Sequence, residues 1–459
     1  MTIVPSEHVD VVVLGGGLAG CAAMLAAAEA GRSVTLLEKR DTVGGSTVLS
    51  AGLSAFAGTD EQEAAGIEDS ADLLRSDIIE TGLRLCDERL VDLYCDHQLA
   101  TYRWLKGHGI KYGTVHAASG QTVPRSHPTD TTLLLDTLVG KASELGGRLV
   151  TGVAARRLIR EDGRVVAVEV EAGGRRERVD AGAVVVTTGG FTRNEDLLTR
   201  FAPQLRHALR AGGEQNHGDG LLMAWQLGAG LVDTPHIKGT YGTYPEPHPA
   251  EHGPGILAVY KGAIAVNRHG RRFVDESLPY KILGDASLAQ PGGWTYQVFD
   301  ATVMARGDAD VAIYDFAARE RGGALVRADT VAELAEKLEL PEGELERTVE
   351  DYNARIAAGE PDPLGRAHLS GGVGRPIPLT TPPFYAHPSG TVVLATYCGL
   401  TVDTQLRVLD VFGEPIDGLY AAGEVIGGLH GGGYMTGTSI GKAGIFGRLA
   451  GTAAAGRAA

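Results

Sequence analysis

The first forty residues combine an apolar strand pattern with a glycine-rich turn, and they constrain the fold more than any other segment. Val9 to Leu14 is a nearly continuous apolar run, which is typical of a buried parallel strand. Glycines follow in G-x-G-x-x-G spacing at Gly15, Gly17 and Gly20, before the small-residue segment CAAMLAAAEA. The next apolar segment, SVTLLE, ends at Glu38. This order predicts a Rossmann-type unit that binds a dinucleotide, because such units have a strand, a glycine-rich turn, a helix and then an acid about twenty residues on.

Each residue of this motif has a physical reason in such a site. Gly15 allows the tight turn, Gly17 lets a pyrophosphate approach the backbone, and Gly20 lets the helix pack closely on the strand. The helix N-terminus favours the phosphate charge. Glu38 can accept hydrogen bonds from a ribose. The alternative is a chance glycine-rich turn, which the flanking strand and helix patterns disfavour.

A second glycine-rich loop follows closely. In DTVGGSTVLSAGLSAF, residues 41–56, Gly44 and Gly45 are followed by Ser46 and Thr47. This segment resembles the one that lies along the pyrophosphate and flavin in the FAD-dependent fumarate reductase and 3-ketosteroid dehydrogenase superfamily. The resemblance implies FAD rather than NAD as the cofactor. Residues 44–50 contain no histidine for covalent attachment, so we expect non-covalent FAD.

Composition excludes several other classes of protein. The 459 residues are too many for one small core and indicate two or more domains. The net charge of −15 argues against nucleic acid or an anionic membrane surface as the main partner. The four cysteines form no CxxC pair, so neither a metal site nor a disulfide framework is predicted. There is no signal-peptide pattern and no apolar run near membrane-spanning length, so we expect a cytoplasmic protein without a membrane span.

The middle of the chain predicts helices and a strand meander. Residues 61–107 and 130–145 have helical patterns, and residues 147–190 alternate as strands with turns at Asp162-Gly163 and Gly173-Gly174. The meander ends in TTGG at 187–190, and HGDGLLMAWQLGA at 217–229 is a glycine turn that opens a helix. Both segments resemble that superfamily, where the strand and glycine pair lie next to the adenosine side of FAD.

A change of composition predicts the domain boundary. From about residue 241 the chain is rich in Pro, Gly, Tyr and His, and a mixed region follows to 385. Near the C-terminus, GLYAAGEV reads as a strand ending at Gly423-Glu424, and a glycine-rich stretch leads into a last helix that could face the flavin. We therefore expect an α/β protein. A Rossmann-type FAD-binding domain, with a parallel sheet, helices and a β-meander, comprises 1–240 and 386–459, and an inserted α+β catalytic domain comprises 241–385.

The resemblance spans nearly the whole chain and implies a set of residues that contact FAD. They lie in the glycine loops, in the meander, at the start of the 219 helix and in the C-terminal segment. The set comprises Gly15, Gly17, Leu18, Ala19, Gly20, Glu38, Lys39, Gly44, Gly45, Ser46, Thr47, Ala51, Gly52, Val153, Thr188, Gly189, Gly190, Asp219, Gly423, Glu424, Ser439 and Ile440.

Three departures from the fumarate reductase pattern indicate a different substrate. The proton-donating arginine expected shortly after RFVNE is replaced by Tyr280 in RFVDESLPYK, and a second arginine is replaced by Tyr434 in HGGGYMTGT. An expected histidine best matches Ala395. Burying a dicarboxylate without these partners would be costly. The Pro-Tyr pair after RFVDE, and Tyr434 followed by Gly437, resemble 3-ketosteroid dehydrogenases instead.

That branch implies desaturation of a cyclic ketone. Tyr434 and the Gly437 N–H are the candidates to hold the ketone oxygen, and Tyr280 is the candidate base for the α-proton, while the β-hydride goes to flavin N5. The loop from Tyr434 to Gly437 is one residue tighter than in the ketosteroid enzymes. This favours a smaller ketone, such as a cyclohexanone or oxocyclohexanecarboxylate, over a steroid. The sequence has one dinucleotide fingerprint, which is assigned to FAD, and this disfavours NAD as the electron acceptor. A quinone, another carrier or O2 would therefore accept the electrons.

Several alternatives stay open at this level. The tyrosine that assists the base could be any of Tyr102, Tyr112, Tyr241 and Tyr244. Arg125 and His127 could meet a substrate carboxylate or cap the following helix. The protein could also reduce an enoate or dicarboxylate as fumarate reductases do, or be a flavin-binding electron-transfer subunit without catalysis of its own.

Overall fold

The computed structural model describes residues 8–206, 208–237, 239–244, 255–309, 311–370 and 372–457. Most of the Pro- and His-rich stretch that follows residue 241 lies outside the described residues. The strands within the described residues are β1 (Val9–Leu14), β2 (Val34–Glu38), β3 (Leu53–Ala55), β4 (Ser126–Pro128), β5 (Arg148–Thr151), β6 (Val153–Glu161), β7 (Arg164–Ala172), β8 (Arg175–Val186), β9 (Leu209–Arg210), β10 (Leu231–Val232), β11 (Thr240–Thr243), β12 (Ile264–Val266), β13 (Thr295–Asp300), β14 (Val326–Ala328), β15 (Phe384–Val393), β16 (Gly399–Leu400), β17 (Arg407–Leu409) and β18 (Pro415–Ala421). The α-helices within them are α1 (Leu18–Glu29), α2 (Asp60–Ala64), α3 (Ala71–Thr81), α4 (Glu88–Gly107), α5 (Thr131–Glu144), α6 (Glu195–Phe201), α7 (Asp219–Gln226), α8 (Tyr280–Leu288), α9 (Ala301–Met304), α10 (Phe316–Arg321), α11 (Val331–Lys337), α12 (Glu344–Ala358) and α13 (Thr438–Arg457).

Five parallel strands form the centre of the larger sheet. Their order is β18, β8, β1, β2 and β5, with Val11 opposite Val34 on one side and opposite Ala183 on the other. The side chains of β1 are buried except that of Asp10, as the apolar run indicated. Residues 9–38 therefore form the predicted strand–turn–helix–strand unit, and the Rossmann-type fold is confirmed.

The predicted strand meander extends this sheet on one side. β6 and β7 pair antiparallel along almost their whole lengths, and β7 pairs antiparallel with the first half of β8, residues 175–180. Both predicted turns are present, and Asp162, Gly163, Gly173 and Gly174 all have positive φ. Two central residues with positive φ define the tight hairpin turn whose twist matches that of the strands.

A second, largely antiparallel sheet forms the α+β region. β15 lies at its centre between β11 and β13, β12 pairs with β13, and β9 and β14 also pair with β15. All ten residues of β15, Phe384 to Val393, are buried. The domain boundary predicted at 385/386 falls inside this strand, and a division after Val393 would keep the strand whole. The division into two domains stays a prediction.

The long helical pattern of residues 61–107 contains three helices rather than one. α3 begins behind the capping side chain of Ser70, and α4 begins behind that of Asp87. Between them Leu83 and Arg84 both adopt left-handed conformations, which a continuous helix cannot contain. The helix predicted at 130–145 is α5. None of the described helices is long and apolar enough to span a membrane.

The last helix, α13, crosses α1 at very short range. A Cβ added at Gly447 would lie 2.4 Å from the carbonyl oxygen of Ala19, and one at Gly451 would lie 2.2 Å from that of Ala23. Only glycine permits this approach of the two backbones. The packing places the N-terminus of α13 next to the first glycine loop, where the candidate site lies.

Candidate active site

A large cavity lies between the two sheets. Its volume is about 1120 Å³, above the range of about 300–1,000 Å³ that is usual for small-molecule pockets. One end is lined by the glycine loops, and the other by tyrosines and apolar side chains. The space is sufficient for a dinucleotide and a small substrate together.

The first glycine loop requires glycine at its first and last positions, Gly15 and Gly20. A Cβ on Gly15 would lie 2.7 Å from the carbonyl oxygen of Thr187, and one on Gly20 would lie 1.9 Å from that of Gly15. A Cβ on Gly17 would meet only the hydroxyl of Thr47, at 3.7 Å. The Gly17 backbone therefore faces the cavity, at the N-terminus of α1.

The second glycine loop is tied to the first by hydrogen bonds. The Gly44 N–H donates to the carbonyl oxygen of Gly16 over 2.9 Å, and the Leu18 N–H donates to the Thr47 hydroxyl over 3.1 Å. The Ser46 hydroxyl accepts from Asn216 over 3.0 Å. Two backbone-lined walls thus face each other at a helix N-terminus, a donor set that fits the pyrophosphate of FAD.

Charged residues lie at the end of the cavity that is predicted to hold the adenosine. The Glu38 carboxylate accepts hydrogen bonds from the backbone N–H groups of Gly16, at 2.7 Å, and Arg40, at 2.8 Å. Lys39 and Asp219 form an ion pair of 2.6 Å. Glu38 is therefore held rigidly at the edge of the cavity, in a position to accept from a ribose.

A half-buried carboxylate lines the cavity at the far end of the candidate cofactor site. Glu424 accepts from the Thr396 N–H over 2.9 Å, and burial raises its pKa above the ordinary value. A Cβ on Gly190 would lie 2.2 Å from the Glu424 carboxylate and 2.3 Å from the Thr396 hydroxyl. A side chain at position 190 would therefore have to displace both of these groups.

The N-terminus of α13 completes the cofactor end. Ser439, Ile440 and Lys442 line the cavity there. The Lys442 ammonium donates to the carbonyl oxygen of Ile426 over 2.7 Å, and burial lowers its pKa to about 8. A helix N-terminus and a buried lysine fit a ring that becomes anionic on reduction.

Most of the residues predicted to contact FAD line the cavity. Those that do so are Gly15, Gly17, Leu18, Ala19, Glu38, Lys39, Gly45, Ser46, Thr47, Ala51, Val153, Thr188, Gly189, Asp219, Gly423, Glu424, Ser439 and Ile440. Gly20, Gly44, Gly52 and Gly190 do not line it. A Cβ on Gly20 or Gly52 would meet a backbone carbonyl oxygen, and one on Gly44 or Gly190 would meet neighbouring side chains.

The structure brings Tyr280 and Tyr434 together at the other end. Tyr280 is the first residue of α8, directly after Pro279, and its ring centroid lies 6.0 Å from that of Tyr434, edge to face. Burial raises the pKa of Tyr280 well above the ordinary 10, although hydrogen bonding with Thr436 opposes this. The phenol therefore keeps its proton at neutral pH.

Gly437 supports Tyr434. Its N–H donates to the Tyr434 hydroxyl oxygen over 3.2 Å, so the amide is bound to the phenol rather than free beside it. Gly437 has a φ of +92°, and a Cβ there would lie 2.7 Å from the Ala55 nitrogen. The tight loop noted in the sequence is therefore possible only with glycine.

Sequence reasoning missed Tyr397. This residue lies in the segment LATYCG, close to Ala395, which also lines the cavity. Its ring stacks on that of Tyr434 at 4.9 Å and meets that of His430 edge-on, also at 4.9 Å. The available signal was that Tyr397 lies two residues after Ala395, the residue that best matches the histidine of the fumarate reductase pattern. We call Tyr280, Tyr397 and Tyr434 the tyrosine cluster.

The four tyrosines considered as assistants fall in different places. Of these, only Tyr244 lines the cavity. Tyr102 stacks on Tyr112 at 5.5 Å and donates to the Glu61 carboxylate, in a separate aromatic group. Tyr241 is buried, with its hydroxyl 3.0 Å from that of Thr295.

Arg125 and His127 lie in the protein interior. Arg125 is fully buried and binds Asp69 through two hydrogen bonds, at 2.9 and 3.0 Å, and Asp77 at 2.6 Å. His127 bonds the Thr59 hydroxyl at 2.7 Å. Neither lines the cavity, so both side chains join chain segments rather than face a substrate.

The arginines that line the cavity lie outside the tyrosine cluster in the part of the chain that the structure describes. Among the described residues, those that line it are Arg40, Arg193 and Arg210. Arg40 follows Glu38, and Arg193 follows the Thr188–Gly190 segment, both on the cofactor side. Arg210 donates to Glu195 and to a backbone carbonyl. Within the described residues, the cation recorded over the rings of the tyrosine cluster is Lys281.

The fold and the cavity define a class of protein: a flavoprotein whose catalytic end lies between a Rossmann-type sheet and a second sheet. A family model described as "FAD binding domain" matches residues 10–440. A probable fumarate reductase of Shewanella frigidimarina (strain NCIMB 400) is 32% identical over 471 residues, covering 98% of this chain and 75% of the relative. The chain belongs to this FAD-binding family and is an FAD-dependent oxidoreductase of the fumarate reductase family.

Two further similarities bear on the branch. A vinyl phenol reductase of Lactiplantibacillus plantarum (strain ATCC BAA-793 / NCIMB 8826 / WCFS1) is 30% identical and covers 99% of this chain and 98% of the relative. The structure of a 3-ketosteroid-Δ4-(5α)-dehydrogenase from Rhodococcus jostii RHA1, in complex with 4-androstene-3,17-dione, superposes with a TM-score of 0.78 at 28% identity. That match covers 98% of this chain and 97% of the other. The expected superfamily and FAD are confirmed, whereas a position nearest to the ketosteroid enzymes stays a prediction.

Proposed function

We propose that this protein reduces a carbon–carbon double bond that is conjugated to one carbonyl group or a comparable acceptor, on a substrate that is not a dicarboxylate. The observation that carries the proposal is the tyrosine cluster. Phenols occupy the positions where a dicarboxylate reductase would need guanidinium groups. FAD, when bound, supplies the hydride; the residues of the chain bind the substrate and move its proton.

Tyr280 is the proposed proton donor. Because burial keeps its pKa well above the ordinary value, the phenol is protonated at neutral pH and can give its proton to the substrate α-carbon. A base that removes an α-proton would first have to lose its own. This supports the reductive direction over the predicted desaturation. A positioned general acid contributes about 10²–10⁴-fold in rate.

Tyr434 is the proposed ligand of the substrate oxygen. Its oxygen accepts from the Gly437 N–H, which leaves the phenol proton available to the carbonyl group. A hydrogen-bonded donor of this kind polarises the next bond in the chain. It stabilises negative charge that develops on the carbonyl oxygen during reaction.

The remaining walls select against a second carboxylate. Leu257, Ile313 and Val392 line the cavity together with the tyrosines. A carboxylate placed against these side chains would be desolvated without a paired cation, which is costly. A neutral or singly charged conjugated substrate meets no such penalty.

The names of the relatives support the direction. The probable fumarate reductase and the vinyl phenol reductase are both named for reduction of their own substrates. The single dinucleotide fingerprint leaves no second nucleotide site in the sequence, so we propose that a separate carrier, such as a quinone or a small redox protein, exchanges electrons with the flavin. We retain the cytoplasm as the proposed location.

Desaturation of a small cyclic ketone is the second candidate. It uses the same atoms in reverse, with Tyr280 as base and Tyr434 on the ketone oxygen. The observation that favours it is the pair Tyr280 and Tyr434 itself, together with the superposition on a ketosteroid dehydrogenase. Cyclohexanone and oxocyclohexanecarboxylate are the proposed substrates of this type.

One anaerobic experiment separates these functions. The photoreduced holoenzyme is mixed with 4-vinylphenol, cyclohex-2-enone, urocanate or fumarate, and the return of the oxidised flavin band is followed. The oxidised holoenzyme is mixed in parallel with cyclohexanone, oxocyclohexanecarboxylate or a 3-ketosteroid, and bleaching is followed. The proposal expects reoxidation by a conjugated substrate with at most one carboxylate. Bleaching of the flavin by ketones, without its reoxidation by alkenes, would favour the second candidate. Fumarate as the best oxidant of the flavin would refute both candidates. No flavin response to any compound would favour a non-catalytic subunit.

A further inference from the structure

Lys281 is buried directly beneath the tyrosine cluster. It follows Tyr280 in α8, and only 1% of it is exposed. Its ammonium group donates a hydrogen bond of 2.6 Å to the hydroxyl of Thr240, the first residue of β11. Thr240 itself lines the cavity. The lysine therefore points inward to the site rather than out to solvent.

The ammonium group lies close to all three rings of the cluster. Its nitrogen is 4.6 Å from the ring centroid of Tyr397, 5.7 Å from that of Tyr280 and 6.0 Å from that of Tyr434. These distances are within the range of about 6 Å over which cations are attracted to aromatic rings. Because the group is buried, salt and water screen its charge weakly.

An unusual backbone conformation holds the nearest ring in place. Tyr397 has a φ of +56°, and the Cys398 N–H donates across it to the Thr396 carbonyl oxygen over 2.7 Å. The Thr396 N–H is in turn fixed by Glu424. A bulky residue at such a φ is strained, and such strain persists where the surroundings enforce it, often at functional sites. The turn keeps the Tyr397 ring against Tyr434 and beside the ammonium group.

Within the described part of the chain no carboxylate forms an ion pair with this ammonium group, although Glu424 and Asp285 attract its charge from farther away. Among the described residues, no carboxylate lies within the 4.0 Å that defines an ion pair with Lys281. One of its three N–H donors has a hydrogen-bond partner there, the Thr240 hydroxyl. The titratable and charged groups around it are Tyr280, Tyr397, Tyr434, His430, Lys442, Glu424 and Asp285. Burial keeps His430 neutral by pushing its pKa well below the ordinary value.

We propose that Lys281 is a positioning residue whose ammonium group, held on Thr240 and on the turn at Tyr397, compensates the negative charge that Tyr280 gains when its proton leaves. The proposal rests on the proposed function, in which Tyr280 is the donor. In that step the Tyr280 O–H bond breaks, a C–H bond forms at the substrate α-carbon, and the electron pair of the O–H bond stays on the phenolate oxygen. Water then returns a proton to the phenolate.

The charge state of Lys281 gives the proposal a pH signature. Burial lowers the pKa of Lys281 to about 7, so the group is charged below this pH and neutral above it. Compensation is therefore complete at pH 6 and is lost as the pH rises through about 7. The rate at which a conjugated alkene reoxidises the flavin should fall over the same range.

The test compares Lys281→Met with Lys261→Met in the holoenzyme. Lys261 is the matched control because its ammonium group also lies over a tyrosine ring, that of Tyr314 at 4.2 Å, and burial lowers its pKa too, but it does not line the cavity. We expect Lys281→Met to slow reoxidation at pH 6 on the order of 10–100-fold and to remove the fall near pH 7. Lys261→Met should change neither. A parent-like rate and pH profile in Lys281→Met, or equal loss in both variants, overturns the proposal.

A second variant and a second measurement separate this proposal from the proposed function. Lys281→Arg keeps a charge that does not titrate in this range, so its rate at pH 6 should be retained and its fall near pH 7 lost. The ultraviolet tyrosine band of the parent should shift between pH 6 and pH 8.5, and Lys281→Met should abolish the shift. This readout needs no substrate. If no alkene is reduced but the tyrosine band shifts and the shift depends on Lys281, the proposed function fails while the placement of the charge stands. If the tyrosine band of the parent does not shift between pH 6 and pH 8.5, the inference is overturned.

Discussion

Replacing Arg125 by methionine should destabilise the fold and leave substrate affinity unchanged. Arg125 is the buried guanidinium that the sequence left as a possible ligand of a substrate carboxylate. In the structure it is fully buried and bonds Asp69 through two nitrogens and Asp77 through a third. Methionine fills similar space but leaves two buried carboxylates without a cation.

The expected loss follows from the burial of both acids. The Asp69 side chain is 0% exposed and that of Asp77 is 6% exposed. Removing one partner of a buried ion pair typically costs about 3–5 kcal/mol. With an unfolding entropy of about 2.1 cal/mol/K per residue, a chain of 459 residues that melts as one unit should lose roughly 3–5 °C in Tm.

Differential scanning fluorimetry of the FAD-saturated protein measures this change. The control is Arg75→Met, because Arg75 pairs with Glu88 and Asp92 at the surface with 36% of its side chain exposed. Exposed pairs contribute about 0–1 kcal/mol, so the control should shift Tm by about 1 °C or less. An unchanged Tm in Arg125→Met, combined with a KM raised tenfold or more for a carboxylate substrate, would refute the assignment of Arg125 to the protein interior.

Three further outcomes are expected. Tyr280→Phe should lower turnover by about 10²–10⁴-fold with FAD still bound. The control is Tyr112→Phe, because the buried Tyr112 hydroxyl has no partner among the described residues, and its turnover should be near normal. Equal loss of turnover in both variants would contradict the proton-donor role. Gly190→Ala should reduce FAD retention on gel filtration, because its Cβ would lie 2.2 Å from the Glu424 carboxylate, while Gly140→Ala has open space and should retain FAD. Burial lowers the pKa of Lys281 to about 7 from the ordinary 10.5, so its ammonium group destabilises the folded state. This destabilisation is complete below pH 7 and disappears as the pH rises to 10.5. Lys281→Met should therefore raise Tm more at pH 6 than at pH 10.

The cofactor end could be predicted because local rules determine it. Gly15, Gly17 and Gly20 have fixed spacing between a strand and a helix, and close backbone approach requires glycine at Gly15 and Gly20. The same applies to the hairpin turn at Asp162-Gly163, where residue type and φ are directly coupled. Such signals depend on a few neighbouring residues, so they are visible in the sequence alone.

The substrate end could be predicted only in part. Tyr280 and Tyr434 were found by comparison with a family pattern, but Tyr397 was not, since its role depends on a left-handed turn that tyrosine itself does not favour. The inward direction of Lys281 depends on the packing of α8 against β11, which are distant in sequence. Arg125 could not be assigned for the same reason, because Asp69 and Asp77 lie about fifty residues earlier.

The central claim is that the site reduces a conjugated double bond and excludes a second carboxylate. The most direct measurement compares fumarate with dimethyl fumarate as oxidants of the anaerobically reduced holoenzyme, since the two share one double bond and differ in charge. Each rate is divided by the rate with free reduced FAD, which corrects for the intrinsic reactivity of the ester. We predict that the corrected rate is at least tenfold higher for dimethyl fumarate, and that Tyr280→Phe lowers the rate with dimethyl fumarate by about 10²–10⁴-fold. A corrected rate that is higher for fumarate would contradict the account.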